Sequence, residues 1–120
     1  TVQGEGLSLK FPGAQQVHDM SVQELRQRLA DGNLTLVDVR PAAARAMLPP
    51  LPEARILEDE GYDAFAALPK DTPIAFVCQR GISSRGVAER FASHGFSQVF
   101  NVEGGMEAWT AQVDRDEPGY

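Results

Sequence analysis

Residues 74–85 read I-A-F-V-C-Q-R-G-I-S-S-R, and this stretch decides how the chain is interpreted. The apolar run over 74–77 predicts a buried strand that leads into Cys78, the only cysteine of the chain. Gly81 follows in the next few residues, and a helical pattern of apolar residues begins at Ser83. The stretch therefore predicts a strand, a tight loop and a helix N-terminus, with the cysteine sulfur at the mouth of the loop.

A cysteine in this position is placed for nucleophilic chemistry. Free backbone N–H groups and the positive end of a helix dipole favour an anion, and the thiolate is the nucleophilic form of cysteine. Arg80 and Arg85 add positive charge, and no acidic residue lies between them. The alternative is that Cys78 is only a small buried hydrophobic residue, but packing alone does not require a polar loop after it. We favour a nucleophilic cysteine that handles an anionic substrate or carries an anionic group.

The rest of the chain alternates between predicted helices and strands. Ser21 and Glu24 form a capping-box pattern at the start of a helix that ends at Asp31-Gly32. Residues 34–39 read as a strand with apolar residues on both faces, which is typical of a parallel sheet covered on both sides. This alternation predicts an α/β domain with a mostly parallel sheet, in which active sites lie beyond the carboxyl ends of the strands. Further strands are predicted over 54–57 and 98–102, and further helices over 42–47, 62–68, 83–94 and 106–113.

Length and composition exclude several classes of protein. The chain has 120 residues, which suits one domain, and no apolar run approaches the roughly 20 residues that cross a membrane. The net charge of −6 argues against nucleic acid as a partner, because phosphate binding needs a basic surface. A single cysteine excludes zinc sites built on cysteine pairs, and His18 and His94 lie too far apart for metal ligands, so we read both as surface or cap residues. We therefore expect no metal, no cofactor, no nucleic acid and no membrane partner.

We divide the chain into an N-terminal extension or linker over 1–17, one domain over 18–114 and a C-terminal tail over 115–120. Residues 7–11 read either as a short edge strand or as part of the linker. The acidic residues concentrate in two groups, which we interpret as solvated surface. They are Glu53, Glu58, Asp59, Glu60 and Asp63, and then Asp114, Asp116 and Glu117.

Four segments in order resemble the rhodanese-like domain family. They are L-V-D-V-R (36–40), P-E-A (52–54), C-Q-R-G-I-S-S (78–84) and V-F-N-V-E-G-G-M-E-A-W (99–109). The resemblance covers about residues 19–113. It implies a rhodanese-like α/β fold, with a five-stranded, mostly parallel sheet and helices on both faces. It also implies a single-domain, cytoplasmic sulfurtransferase of the thiosulfate sulfurtransferase (rhodanese) type.

Active members of this family transfer sulfane sulfur through a cysteine persulfide, which implies that Cys78 is the catalytic residue. It would take sulfur from a small anionic donor, thiosulfate or a related persulfide, and pass it to cyanide, a thiol or a protein acceptor. A fused or interacting redox domain is a further partner that we expect. The loop that follows would bind the substrate and the persulfide through a nest of backbone N–H groups. It comprises Gln79, Arg80, Gly81, Ile82, Ser83 and Ser84.

Supporting roles are expected for the residues around this loop. We expect Arg80 to attract the donor and Gly81 to permit the loop geometry. Ser83 and Ser84 either donate hydroxyl hydrogen bonds or cap the helix, and we favour capping. Arg85 has either an acidic partner or a share in attracting anions, and we favour shared attraction.

Two more residues match the family's D-V-R element. Asp38 and Arg40 are expected to form a mainly structural hydrogen-bonded network at the end of a buried strand. Trp109 is expected to be a core residue rather than a substrate contact. These are supporting residues, and only Cys78 is assigned the chemistry.

The sequence departs from the family in three places. The segment P-P-L-P-E-A (49–54) replaces the common G-H-I-P-G-A, which changes the rim beside the loop. Ala43 and Ala44 stand where an acidic residue is frequent, so the sequence does not identify the partner of Arg40. Ser83 lies where many members have arginine. The substrate preference of better-known members is therefore not transferred.

Two other functions compete with sulfur transfer. Phosphatases and arsenate reductases use a loop thiolate within a C-x5-R pattern, but here the sixth residue after Cys78 is Ser84, and Arg85 comes one place late. A non-catalytic or regulatory binding module, within a larger redox or sulfur-trafficking protein, is the other alternative. Such modules have usually lost the cysteine, which this chain retains.

Overall fold

The computed structural model describes residues 16–114 of the chain. The strand considered for residues 7–11, the tail over 115–120 and the side chains of the second acidic group lie outside the described residues. Within residues 16–114, no helix is long and apolar enough to cross a membrane.

Five strands form one sheet in the order β1-β5-β4-β2-β3. Each of the four pairings between neighbouring strands is parallel, and β4 lies in the middle of the sheet. The predicted five-stranded α/β architecture is confirmed, with the described sheet wholly parallel rather than mostly so. The strands are β1 (Val17–Met20), β2 (Thr35–Asp38), β3 (Arg55–Ile56), β4 (Ile74–Val77) and β5 (Val99–Val102).

Helices cover both faces of this sheet and bury two separate apolar clusters. Residues of β4 show the division, since Ala75 and Val77 belong to one cluster, and Ile74 and Phe76 to the other. Successive side chains of a strand point to opposite faces, so a strand that is buried on both sides needs apolar residues at every position. The helices are α1 (Val22–Asp31), α2 (Ala42–Met47), α3 (Leu57–Glu60), α4 (Tyr62–Ala66), α5 (Ser83–Ser93) and α6 (Gly105–Ala108), followed by a π-helical segment (Trp109–Asp114).

The predicted ends of α1 are confirmed, but only the serine half of the predicted capping box forms. The Ser21 hydroxyl accepts a hydrogen bond of 3.1 Å from the backbone N–H of Glu24, as an N-cap does. The Glu24 side chain accepts from Arg28 one turn later at 3.2 Å, so it serves an ion pair along the helix. Gly32 ends the helix in the left-handed region, with φ of 74°.

Three local features differ from the sequence prediction. β1 lies at residues Val17–Met20, which the sequence prediction divides between the linker and the start of the domain. The strand expected over 54–57 is only two residues long, because Leu57 begins the acidic helix α3. The last helix changes to π-helical geometry at Trp109, whose ring is partly buried against the apolar cluster as predicted. β1 escaped detection because an edge strand with two exposed polar residues shows little apolar periodicity.

The N-terminus of α6 packs directly against the loop after β4. The backbone N–H of Met106 donates to the carbonyl oxygen of Cys78 at 2.8 Å, and that of Glu107 donates to Gln79 at 3.0 Å. Gly105 has φ of 60°, and a Cβ there would lie 2.3 Å from the carbonyl oxygen of Cys78. The two backbone segments therefore approach so closely that only glycine fits at position 105.

We predict that Gly105→Ala lowers the free energy of unfolding by about 1–3 kcal/mol, because the added methyl group meets rigid backbone in a strained conformation. Gly86→Ala is the matched control, since a Cβ at Gly86 in α5 has nothing within 4 Å. That change should stabilise the helix by about 0.5–1 kcal/mol. Urea unfolding followed by far-UV circular dichroism measures both, and equal stabilities would contradict the close approach.

Candidate active site

Cys78 lies at the carboxyl end of the central strand, immediately after β4. Its side chain is buried, and two donors face the sulfur. The backbone N–H of Gly81 lies 3.1 Å from Sγ, and the Ser84 hydroxyl oxygen lies 3.2 Å from it. The loop therefore folds back on the sulfur and surrounds it with hydrogen-bond donors.

These donors determine the acidity of the thiol. Burial raises the pKa of Cys78, but hydrogen bonds to the sulfur lower it by more, so the pKa lies below its ordinary value. The donors are the hydroxyl and backbone N–H of Ser84 and the backbone N–H groups of Arg80 and Gly81. Hydrogen bonds to the charged form of a group favour that form. The lowered pKa agrees with the sequence prediction. The groups that lower the pKa are backbone N–H groups of the loop, as the sequence predicts, together with the Ser84 hydroxyl. The side-chain charges of Arg80 and Arg85, which are also expected to contribute, are not among the causes.

Both arginines are paired with carboxylates from distant parts of the chain. Arg80 Nε lies 3.2 Å from the Glu107 carboxylate of α6, which is 27 residues away in sequence. Arg85 lies 2.8 Å from the carboxylate of Asp19 in β1, 66 residues away. For Arg85, the structure supports the acidic partner and not the shared attraction of anions that the sequence analysis favours. The absence of acidic residues between Arg80 and Arg85 in the sequence therefore does not mean that these arginines lack carboxylate partners in the fold.

Asp38 and Arg40 form the buried network that the sequence predicted. Arg40 Nη2 lies 2.8 Å from one oxygen of Asp38 and Arg40 Nε lies 3.1 Å from the other, and both side chains are almost fully buried. The remaining guanidinium nitrogen donates to Gln79 Oε1 at 3.0 Å and to the carbonyl oxygen of Ala44 at 3.4 Å. These contacts supply the partners that the sequence did not identify. They also tie the first residue after Cys78 to the end of β2.

The two serines of the loop have different environments, and neither caps α5. The residue before the helix is Ile82, which makes no side-chain capping bond, so the predicted capping role is wrong. Ser84 is fully buried, and its hydroxyl lies between Cys78 and the next strand. Ser83 is exposed, and Ile82 at the loop tip is 76% exposed.

Asn101 of β5 is a site residue that our sequence reasoning missed. It is 3% exposed, and its Oδ1 atom lies 2.5 Å from the Ser84 hydroxyl oxygen. Its Nδ2 atom donates to the carbonyl oxygen of Gly81 at 3.0 Å. The signal was present in the sequence, because a buried asparagine inside the apolar strand V-F-N-V requires polar partners.

Glu107 was also missed, because its position on α6 carries no local motif. Its carboxylate accepts from Arg80 and, at 3.4 Å, from the side-chain amide of Gln79. It thus places a negative charge beside the loop residue expected to attract an anionic donor.

Comparison with known proteins supports the resemblance noted in the sequence. The sequence model of the rhodanese-like domain family matches residues 21–112. The structure of a rhodanese-like domain protein from Staphylococcus aureus is 30% identical, with a TM-score of 0.66, over 78% of this chain and 91% of that chain.

Two more distant structures share the fold. Reduced CoADR-RHD from Bacillus anthracis is 23% identical with a TM-score of 0.67, and the match covers 82% of this chain but 17% of that one. The 30 kDa polysulfide-sulfur transferase homodimer from Wolinella succinogenes is 21% identical with a TM-score of 0.66, over 81% of this chain and 75% of that chain.

We predict that alkylation of Cys78 by iodoacetamide rises with pH through a midpoint below the ordinary thiol value of about 8.5, because the loop donors stabilise the thiolate. Cys78 is the only cysteine, so the rate reports this site alone. Arg85→Gln should leave the midpoint nearly unchanged, since the Arg85 guanidinium is already paired with Asp19. A midpoint at or above the ordinary value, or a large shift in the arginine variant, would contradict the assignment.

Proposed function

This chain belongs to the rhodanese-like domain family, and on that premise we propose that it is a sulfurtransferase that carries sulfane sulfur on Cys78. The observation that carries the proposal is the pair of donors within 3.2 Å of Sγ, together with the lowered pKa of the thiol. A thiolate held by a ring of neutral dipoles is a ready nucleophile. The same donors suit a sulfur that changes charge during the reaction.

The proposed reaction has two half-reactions at one sulfur atom. In the first, the Cys78 thiolate attacks the outer sulfur of the donor, a new S–S bond forms, and the old one breaks with its electron pair leaving on sulfite or on a thiolate. In the second, cyanide or a thiol attacks the outer sulfur of the persulfide, and the electron pair of the breaking bond returns to Sγ. Each half-reaction forms one bond to the transferred sulfur and breaks another, so neither half-reaction requires an external oxidant or reductant.

Phosphate chemistry fits this loop less well. A phosphatase of this type places an arginine at the sixth position after the cysteine, where it binds the oxyanion. Here that position is Ser84, which is fully buried against Sγ. The neighbouring arginine, Arg85, is directed to Asp19. The loop therefore supports an attack on sulfur better than the binding of a phosphate.

The proposed partners are a small anionic sulfur donor and a thiol or protein acceptor. The exposed side chain of Ile82 at the loop tip offers an apolar contact to an acceptor. A fused or interacting redox domain and a cytoplasmic location stay predictions from the sequence. In Bacillus anthracis CoADR-RHD the matching region is 17% of a longer chain, so a fold of this kind does occur inside larger proteins.

We predict that thiosulfate adds the mass of one sulfur atom to the intact protein, and that cyanide removes it as thiocyanate. Cys78→Ser should lose both reactions while the far-UV circular dichroism spectrum is unchanged. Intact-protein mass spectrometry and a colorimetric thiocyanate assay measure the two half-reactions. If thiosulfate, polysulfide and glutathione persulfide all fail to add sulfur to the protein, the binding-module alternative is favoured. Cys78-dependent hydrolysis of p-nitrophenyl phosphate at an enzyme-like rate would favour the phosphatase class.

We predict opposite effects from the two members of the exposed ion pair beside the loop. The side chains of Arg80 and Glu107 are 72% and 49% exposed, so their pairing is worth only about 0–1 kcal/mol and yields readily to an anionic donor. Arg80→Ala should raise the apparent KM for thiosulfate about two- to fivefold at low ionic strength, and Glu107→Gln should lower it by a similar factor. Salt should reduce both effects by screening.

Steady-state kinetics at low and high salt test this pair. Glu89→Gln, which removes an exposed carboxylate from α5, is the matched control and should leave the KM unchanged. If thiosulfate kinetics at low salt are the same in wild type and both variants, donor binding depends on the backbone N–H groups alone.

A further inference from the structure

A single hydroxyl hydrogen lies between two acceptors in the interior of the site. Ser84 is fully buried, and Asn101 and Cys78 are 3% and 4% exposed. The Ser84 oxygen lies 2.5 Å from Asn101 Oδ1 on one side and 3.2 Å from Cys78 Sγ on the other. The close packing excludes bulk water, so the competition for this hydrogen takes place between protein atoms.

The orientation of the Asn101 amide follows from its second contact. The carbonyl oxygen of Gly81 lies 3.0 Å from this amide, and a carbonyl oxygen can only accept. The amide nitrogen of Asn101 must therefore face Gly81, which leaves Oδ1 facing Ser84. Since Oδ1 can only accept as well, the Ser84 hydroxyl must be the donor. It has one hydrogen and two acceptors.

The charge on Sγ decides which acceptor receives the hydrogen. An uncharged divalent sulfur is a weak acceptor, so the hydrogen points to the amide oxygen when Cys78 is a thiol or carries a persulfide. A thiolate forms a charge-assisted bond, which is the stronger one. We propose that Asn101 is a positioning residue that holds the Ser84 hydrogen while Sγ is uncharged and yields it to Sγ as the thiolate forms.

This inference rests on the proposed function, because it concerns how the same sulfur is loaded and discharged. When an acceptor attacks the persulfide, the electron pair of the breaking S–S bond moves to Sγ, and the hydroxyl turns toward the developing charge. When the thiolate attacks a donor, the hydroxyl turns back to Asn101. The O–H bond rotates and never breaks, so no proton is transferred. The network thus adds the hydroxyl to the backbone donors of Sγ only in the states in which Sγ carries negative charge.

Full charges around the loop are already compensated in pairs, which leaves the hydroxyl as the responsive group. Among residues 16–114, three arginines at or beside the loop each pair with a carboxylate on a neighbouring element. They are Arg80 with Glu107 of α6, Arg40 with Asp38 of β2, and Arg85 with Asp19 of β1.

A double-mutant cycle tests the competition directly. The variants are Ser84→Ala, Asn101→Leu and the double variant, and the readout is the midpoint of Cys78 alkylation against pH. Ser84→Ala should raise the midpoint by about one pKa unit, the scale of a hydrogen bond to a charged group. Asn101→Leu frees the hydrogen for Sγ and should lower the alkylation midpoint when Ser84 is present. Compared with the same substitution in the Ser84→Ala background, the change in midpoint should be more negative by at least about half a pKa unit.

Equal effects of Asn101→Leu in both backgrounds would overturn the proposal, because the asparagine would then act only through packing or through the Gly81 carbonyl. Far-UV circular dichroism establishes that each variant is folded. Asn101→Leu removes the contact with the Gly81 carbonyl both with and without Ser84, so the contribution of that contact cancels in the cycle.

A second measurement uses the wild-type protein and needs no change in the core. The side-chain amide signals of Asn101 in NMR spectra should titrate at the Cys78 midpoint, because Oδ1 loses its donor when the thiolate forms. The titration should be absent in Cys78→Ser and much smaller in Ser84→Ala. Signals that do not move across the wild-type midpoint would overturn the proposal, whatever the variants show.

Loading with thiosulfate separates this proposal from the proposed function. In the loaded protein the charge lies on the outer sulfur, so the Asn101 signals at high pH should return to their low-pH positions. Signals that stay at their thiolate positions after loading, as measured by mass, would overturn the inference. If no sulfur is added, the proposed function fails, and the two pH titrations alone decide the role of Asn101.

Discussion

The contact between the N-terminus of α6 and the loop after β4 is the constraint on which the rest of the site depends. The carbonyl groups of Cys78 and Gln79 accept hydrogen bonds from the backbone N–H groups of Met106 and Glu107 in the first turn of α6. This contact occupies the carbonyl groups at the start of the loop, while later N–H groups are directed to the sulfur. Gly105 and Gly81 allow it, because any side chain at either position would meet backbone atoms within 3 Å.

Two buried polar networks hold the same loop from opposite sides. At the end of β2, the Asp38–Arg40 pair reaches the side chain of Gln79. On β5, Asn101 holds the carbonyl of Gly81. Register explains the arrangement, since Asp38 and Asn101 lie in the strands that flank β4 and pair with its last two residues. A parallel sheet brings the carboxyl ends of its strands to one edge, so both networks converge on the cysteine.

The site stabilises a sulfur anion with dipoles and one hydroxyl, because its full positive charges are paired elsewhere. Arg40 is neutralised inside the protein by Asp38, and Arg80 and Arg85 are paired nearer the surface. A permanent cation against Sγ would favour the thiolate strongly and would oppose the transfer of its charge to the outer sulfur. A hydroxyl that reorients with the charge, as we propose for Ser84, would favour both states in turn. The proposed reaction uses Cys78 as a nucleophile, a carrier and a leaving group within one cycle, and such a balance would suit all three roles.

The sequence by itself determined the fold class and the position of the candidate nucleophile in the fold. Apolar residues at every position of 74–77 indicate a strand buried on both faces, and the strand–loop–helix pattern placed Cys78 at its carboxyl end. These features depend on residues close in sequence, and local patterns record them. The electrostatics of the site was decided only by tertiary structure. Glu107 and Asp19 neutralise Arg80 and Arg85 from 27 and 66 residues away, and Asn101 reaches Ser84 from a neighbouring strand. The physical reason is that the pairing of charges and hydrogen bonds depends on distance in space, which the chain fixes only when the strands align.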